Sequence, residues 1–204
     1  MKSSVAAIIL AAGASTRLGA SKQLLRIGDQ SLVRRTVRVA AECGLDPIIV
    51  VTGAQAEAVR AELADDRVDA IFNPTWISGI GSSIRCGVQH LRQIAPDATA
   101  VVLLVCDQPH LSAAVIHGLL DAQIVSDKPA AACAYAETLG TPCVFSSDYF
   151  DAMEMLGDQQ GAKKLLLAHL DRVAQFPWPA GAIDIDTPAD VSALQLIESP
   201  CPLI

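Results

Sequence analysis

Hydrophobic positions along this chain follow two periods. Val5 to Leu10, Ile48 to Val51, Ala100 to Val105 and Ala130 to Tyr135 are short apolar runs of branched and small residues, the pattern of strands buried on both faces. Between them the apolar positions recur at helical spacing. Leu32, Val33, Val37, Ala40 and Ala41 follow a Ser31 N-cap and stop at Gly44; Glu57 to Leu63, the Ile84, Val88 and Leu91 series, and Ala113 to Val125 read the same way. Val68 to Phe72, Gly140 to Phe145, Val173 to Phe176 and Ala182 to Ile185 are expected to add strands, with helices over Ala162 to Leu170 and Ala189 to Ile197. This alternation predicts an α/β fold: a mostly parallel, doubly wound sheet with helices on both faces and right-handed crossovers. One domain over residues 4–197 is expected, with residues 198–204 as a loose tail.

The first strand runs into a loop of small residues, Leu10-Ala11-Ala12-Gly13-Ala14-Ser15-Thr16-Arg17-Leu18-Gly19-Ala20-Ser21-Lys22. Gly13 and Gly19 let backbone amides approach a ligand closely, while Arg17 and Lys22 add two cations, a combination that suits a polyphosphate. The glycine spacing is neither that of a P-loop nor that of a dinucleotide fingerprint. Lys2 ahead of the first apolar run has the layout of a secretory leader, but the run is short and its removal would cost the sheet a strand.

Three further segments carry candidate chemistry. Thr52-Gly53 ends the second strand beside the first loop, where it would contact base or ribose. Asn73-Pro74-Thr75-Trp76-Ile77-Ser78-Gly79-Ile80-Gly81-Ser82-Ser83 precedes a helix and offers a second anion site, or simply a cap. Asp107 follows the most apolar strand, so its carboxylate should emerge at the carboxyl edge of the sheet, where ligands sit in open α/β folds and where a hard oxygen suits Mg2+. Asp184 and Asp186 flank Ile185 near the end of the core, with Asp186 better placed to reach a metal. The other reading of both acids is as helix or turn caps.

Composition narrows the partners. The 204 residues carry a net charge of -7, and 51% are hydrophobic with only 4% aromatic. An acidic protein of this kind lacks the broad basic surface that nucleic acid requires. No apolar run approaches the ~20 residues of a membrane helix. Six cysteines and four histidines show no zinc-ligand spacing, which reads as reduced thiols in a cytoplasmic protein.

The opening loop resembles the signature Leu-Ala-Ala/Gly-Gly-x-Ser-x-Arg-Met/Leu-Gly-x-x-Lys-x-Leu-Leu of the MobA-like nucleotidyltransferases. Asn73, Pro74, Trp76, Gly79, Ser82, Ser83, Arg85 and Gly87 match a second family motif, Cys106-Asp107-Gln108-Pro109 a third, and Asp184 to Asp190 a fourth. Ser78 stands where Glu is frequent, Thr141 where His often follows Gly140, and Gly157 to Lys163 has one residue more than the family's Gly-Asp-x-Gly-Ala-Arg. The resemblance implies the Rossmann-like nucleotide-diphospho-sugar transferase type of fold. It implies a nucleotide site at Leu10, Ala11, Ala12, Gly13, Ser15, Thr16, Arg17, Lys22, Thr52 and Gly53. Acceptor binding would fall to Trp76, Gly79, Ser82, Ser83 and Pro142, Mg2+ binding to Asp107 and Asp186, and catalysis to Arg17, Lys22 and Asp107. The Ala11-Ala12-Gly13 form is similar to the branch that uses CTP, and the Asn73 to Gly87 match resembles the molybdenum cofactor cytidylyltransferases. That implies CTP and a phosphorylated pterin, with a client molybdoenzyme downstream. Transfer to a sugar or polyol phosphate, and a non-catalytic cofactor carrier, are the alternatives.

Overall fold

A central strand, β1 (Val5–Ala11), carries neighbours on both sides through two parallel ladders, which pair it with β4 (Ile48–Thr52) and β6 (Ala100–Val105). The computed structural model describes residues 4–15, 21–185 and 189–190. Between β1 and β4 come a small hairpin, β2 (Arg26–Ile27) and β3 (Gln30–Ser31), and the helix α1 (Leu32–Glu42), capped by the Ser31 side chain accepting from the Arg34 N–H. After β4 follow α2 (Ala56–Glu62), β5 (Asp69–Phe72) and α3 (Ile80–Ile94). After β6 come α4 (Ala113–Ser126), β7 (Ala130–Tyr135), β8 (Thr138–Ser146), α5 (Phe150–Glu154), α6 (Ala162–Ala168) and β9 (Val173–Pro177).

The seven strands lie in the order β5-β4-β1-β6-β8-β7-β9, and β8 runs antiparallel to both its neighbours. Side chains alternate across the sheet. Ala7, Ile9, Val50, Val102 and Leu104 pack under α1, α2 and α4, whereas Ala6, Ile8, Ile49, Val51, Val101 and Leu103 pack under α3, α5 and α6. The doubly wound sheet expected from the apolar runs is therefore present, with strands buried on both faces.

One crossover departs from the expected hand. The β1 to β4 and β6 to β7 connections pass over the same face, that of α1 and α4, but travel in opposite directions along the sheet. Their hands are therefore opposite, and the β6 to β7 connection, which strides over β8, is the left-handed exception to a strong rule. The consequence is local. With α4 drawn to the other face, the second face at the carboxyl end of β6 is walled by α3, α6 and the β7–β8 hairpin.

Other differences are small. The helix predicted from Ile84 onward begins earlier, so Gly81, Ser82 and Ser83 lie inside α3. No strand forms over Ala182 to Ile185: Pro179–Ala182 makes a single 3-10 turn, and the Ile185 N–H bonds to the Asp107 carbonyl, 3.0 Å, instead of joining a ladder. The alternation that placed Asp184 and Asp186 on one face therefore does not apply. Asp186, Arg17, Thr16 and Gly19 lie outside the described residues, as does most of the last expected helix, of which 189–190 are helical. No helix among the described residues is long and apolar enough to cross a membrane.

Candidate active site

In an open α/β sheet, ligands bind beyond the carboxyl ends of the strands, where neighbouring connections leave in opposite directions. Here that point lies between β1 and β6, whose last paired residues are Leu10 and Val105. The loops that leave these two ends meet. Lys22 Nζ lies 3.1 Å from Asp107 Oδ2, both side chains partly open to solvent. Around them opens a cleft of about 380 Å³, lined among others by Leu10, Gly13, Ser15, Trp76 and Gly79.

The loop after β1 is braced by a residue that no motif pointed to. Gln23 is buried; its Nε2 donates to the Gly13 carbonyl at 2.9 Å, and its Oε1 accepts from Ser21 Oγ at 2.9 Å. Ser15 Oγ accepts from the Lys22 N–H at 3.0 Å. These bonds tie the two ends of the loop together and set the position of Lys22. No signal in the sequence singles Gln23 out, because its role arises only once it is buried beside Gly13 and Ser21.

The residues expected at the nucleotide divide into two groups. Leu10, Ala12, Gly13, Ser15 and Lys22 line the cleft. Ala11 instead packs in the core, and Thr52 is fully buried with its hydroxyl donating to the Ile71 carbonyl, 2.7 Å. Gly53 acts through its neighbours: a Cβ there would stand 2.5 Å from Ala12 O and 2.7 Å from Trp76 Cβ, so only glycine lets the Trp76 ring settle against this loop.

The 73–83 segment is held by Asn73, which is buried and donates to Ser82 Oγ and Ser83 Oγ while its Oδ1 accepts from Thr75. Ser82 in turn donates to the Thr75 and Gly79 carbonyls, so its hydroxyl serves the loop. Ser83 lines the cleft. The second anion site expected at the start of α3 is already filled by protein: the Gly81 N–H donates to the Asp158 carbonyl, 2.8 Å, and Arg85 pairs with the Asp158 carboxylate. Asp158 is thus a partner of α3 and does not cap α6, whose N-cap position is Gly161. Gly79, at φ +134°, makes the sharp entry this strap requires.

A second hollow of about 260 Å³ adjoins the first and shares Leu10, Ile80 and Val105 with it. Its walls are mostly apolar, with Ile84, Leu103 and Leu139 below and Tyr135, Thr141 and Lys163 at its polar margin. Pro142 is buried behind Thr141 and does not line it. Burial raises the Tyr135 pKa, opposed by hydrogen bonds from its surroundings.

The donor set suits a divalent metal in one respect and is incomplete in another. Asp107 presents a hard carboxylate oxygen to the cleft, and the Ile185 N–H to Asp107 O bond brings the chain leading into Asp186 against it. Among the described residues no cluster of three or more metal-ligating side chains exists. An ion held by one or two carboxylates and completed by phosphate oxygens and water is the arrangement Mg2+ favours.

Fold and cleft together define an α/β domain of the nucleotide-binding transferase type. The chain belongs to the MobA-like NTP transferase domain family, whose model matches residues 7–173. It is 34% identical over 128 residues to a nicotine blue oxidoreductase of Paenarthrobacter nicotinovorans, covering 61% of this chain and 58% of that one. It is 32% identical over 113 residues to a probable molybdenum cofactor guanylyltransferase of Opitutus terrae, covering 55% and 52%. The chain thus spans little more than half the length of these two relatives. The crystal structure of Rv0371c from Mycobacterium tuberculosis H37Rv superposes with a TM-score of 0.80 at 30% identity over 96% of this chain and 100% of that one. A complex of Rv0371c with manganese superposes at 0.76 with 29% identity, over 95% and 98%.

Proposed function

We propose that this protein transfers a cytidylyl group from CTP to the terminal phosphate of a molybdopterin-type acceptor, releasing pyrophosphate. The observation that carries the reading is the Lys22 to Asp107 pair at the β1/β6 switch point, facing a small-residue loop on one side and an apolar hollow on the other. The loop and Lys22 suit a triphosphate; the hollow suits a flat ring whose faces lie on Ile84, Leu103 and Leu139 and whose polar edge meets Tyr135, Thr141 and Lys163, better than a polyol, whose hydroxyls would find few partners on the apolar walls.

In this scheme an acceptor phosphate oxygen attacks the α-phosphorus in line. A new P–O bond forms, the α–β bridging P–O bond breaks, and its electrons leave with pyrophosphate. Such transfers need positioning and charge stabilisation more than covalent help. The Gly13 loop, braced by Gln23, holds the phosphates through backbone N–H groups, and Lys22 neutralises charge on the leaving side. Arg17 would add a second cation. Asp107, with Asp186, would hold a divalent ion, which supplies Lewis-acid neutralisation of the α-phosphate. The manganese complex of Rv0371c supports a metal of that charge. Trp76, Gly79 and Ser83, expected at the acceptor, line the cleft beside the nucleotide loop and would bound the nucleotide side instead, and Lys163 offers a cation at the edge of the acceptor hollow. The cytoplasm is the expected compartment, because five described cysteines are free thiols.

A screen of the four nucleoside triphosphates against molybdopterin and sugar phosphates, with Mg2+ and read as pyrophosphate, tests this. The expected result is release with CTP and molybdopterin. Release only with a sugar phosphate would move the acceptor; tight cofactor binding with no pyrophosphate from any triphosphate would make the protein a carrier.

A further inference from the structure

Gln108 follows Asp107 directly and turns the other way, into the protein. It is 5% exposed, and its Nε2 stands within donating distance of three acceptors: the Thr141 carbonyl at 2.9 Å, the Gly181 carbonyl at 3.1 Å and Tyr135 Oη at 3.3 Å. Tyr135 Oη itself donates to the Thr141 carbonyl, 2.9 Å. These partners belong to separate parts of the site. Tyr135 and Thr141 line the apolar hollow, while Gly181 belongs to the segment that runs on through Ile185, whose N–H bonds to the Asp107 carbonyl.

The amide is also held at a cost. Gln108 Oε1 is fully buried with no partner among the described residues, and a buried acceptor left unsatisfied forfeits its hydrogen bonds to water. Flipping the amide would relieve nothing, because it would set Oε1 against two carbonyls. The side chain is therefore fixed by what its nitrogen holds.

Resting on the reading of the cleft given above, we infer that Gln108 is a positioning residue that couples the acceptor hollow to Asp107. It locks the ends of β7 and β8 to the residue beside Asp107 and draws the 181–185 segment alongside, so that Asp107 and the acceptor wall keep one spacing. Loosening it lets both drift, while the nucleotide loop, braced separately by Gln23, stays in place.

The test compares wild type with Gln108→Met, which keeps the shape and removes the donors, and with Tyr135→Phe, which removes one hydroxyl at the margin and leaves the ring edge-on to Trp178. Mn2+ is titrated in the presence of CTP, with free Mn2+ read by electron paramagnetic resonance, and KM is measured for CTP and acceptor. Gln108→Met is expected to weaken Mn2+ binding and raise the acceptor KM by ~10-fold each, with the CTP KM changed less than about twofold, as the loss of one to two hydrogen bonds implies. Tyr135→Phe shifts the acceptor KM in the same direction by less, and stands alone if Gln108→Met does not fold. Unchanged Mn2+ binding and acceptor KM, or equal rises in both KM values, would overturn the coupling. Failure of wild type to bind Mn2+ with CTP would instead overturn the reading of the cleft.

Discussion

Lys22 Nζ and Asp107 Oδ2 lie 3.1 Å apart across 85 positions of chain, each in a connection leaving one of two adjacent parallel strands. Under the proposed transfer, a ligand separates this pair, with phosphate taking the lysine and a cation the acid.

Lys22→Ala should cut turnover by about 100-fold or more, ~2.7 kcal/mol of transition-state stabilisation. The cleft admits solvent to both side chains, so water can solvate Asp107 once its partner is gone and Tm should fall by only a few degrees. Steady-state kinetics beside a thermal melt checks both halves; a large melt shift with intact turnover would reverse the assignment.

Gln23→Ala should raise the CTP KM by ~10-fold through loss of the brace on Gly13 and Ser21, with kcat falling less than for Lys22→Ala. Isothermal titration with CTP and Mg2+ measures the same loss without turnover.

Gly53→Ala should destabilise the fold by ~1–3 kcal/mol, because the new Cβ meets backbone and ring carbon with little room to yield. Denaturant unfolding gives the stability change, and altered Trp emission is expected from the displaced Trp76 ring.

Lys163→Ala removes an exposed cation from the margin of the acceptor hollow. The acceptor KM should rise by ~3- to 10-fold with CTP affinity and Tm unchanged, the behaviour of a solvated charge that meets one substrate phosphate.

Thiol chemistry offers a pH-dependent check on the core. Burial pushes the Cys133 thiol up to about 12 and raises Cys106 and Cys143 strongly as well. The thiolate is the reactive form, so a raised pKa lowers reactivity throughout the range below it. At pH 8 these three cysteines should resist iodoacetamide until denaturant is added, as read by peptide mass spectrometry.

How much of this was legible in the chain itself depends on whether a feature is local. Strand and helix periods, the Ser31 cap, the small-residue loop after Leu10 and the acid after Val105 are short-range patterns, since burial on one face or two dictates which residue types can occupy consecutive positions. The α/β class followed from them. What the periods could not carry was long-range: that β8 inserts antiparallel, that α4 crosses to the face of α1, and that Ile185 bonds to Asp107 instead of extending the sheet. Nor could they reveal the roles of Gln23, Asn73 and Gln108, polar residues that become braces only when buried beside polar groups from elsewhere in the chain. Local chemistry determined the elements and the candidate groups; the tertiary structure decided which groups meet, because only packing removes water from a polar side chain and makes its partner obligatory.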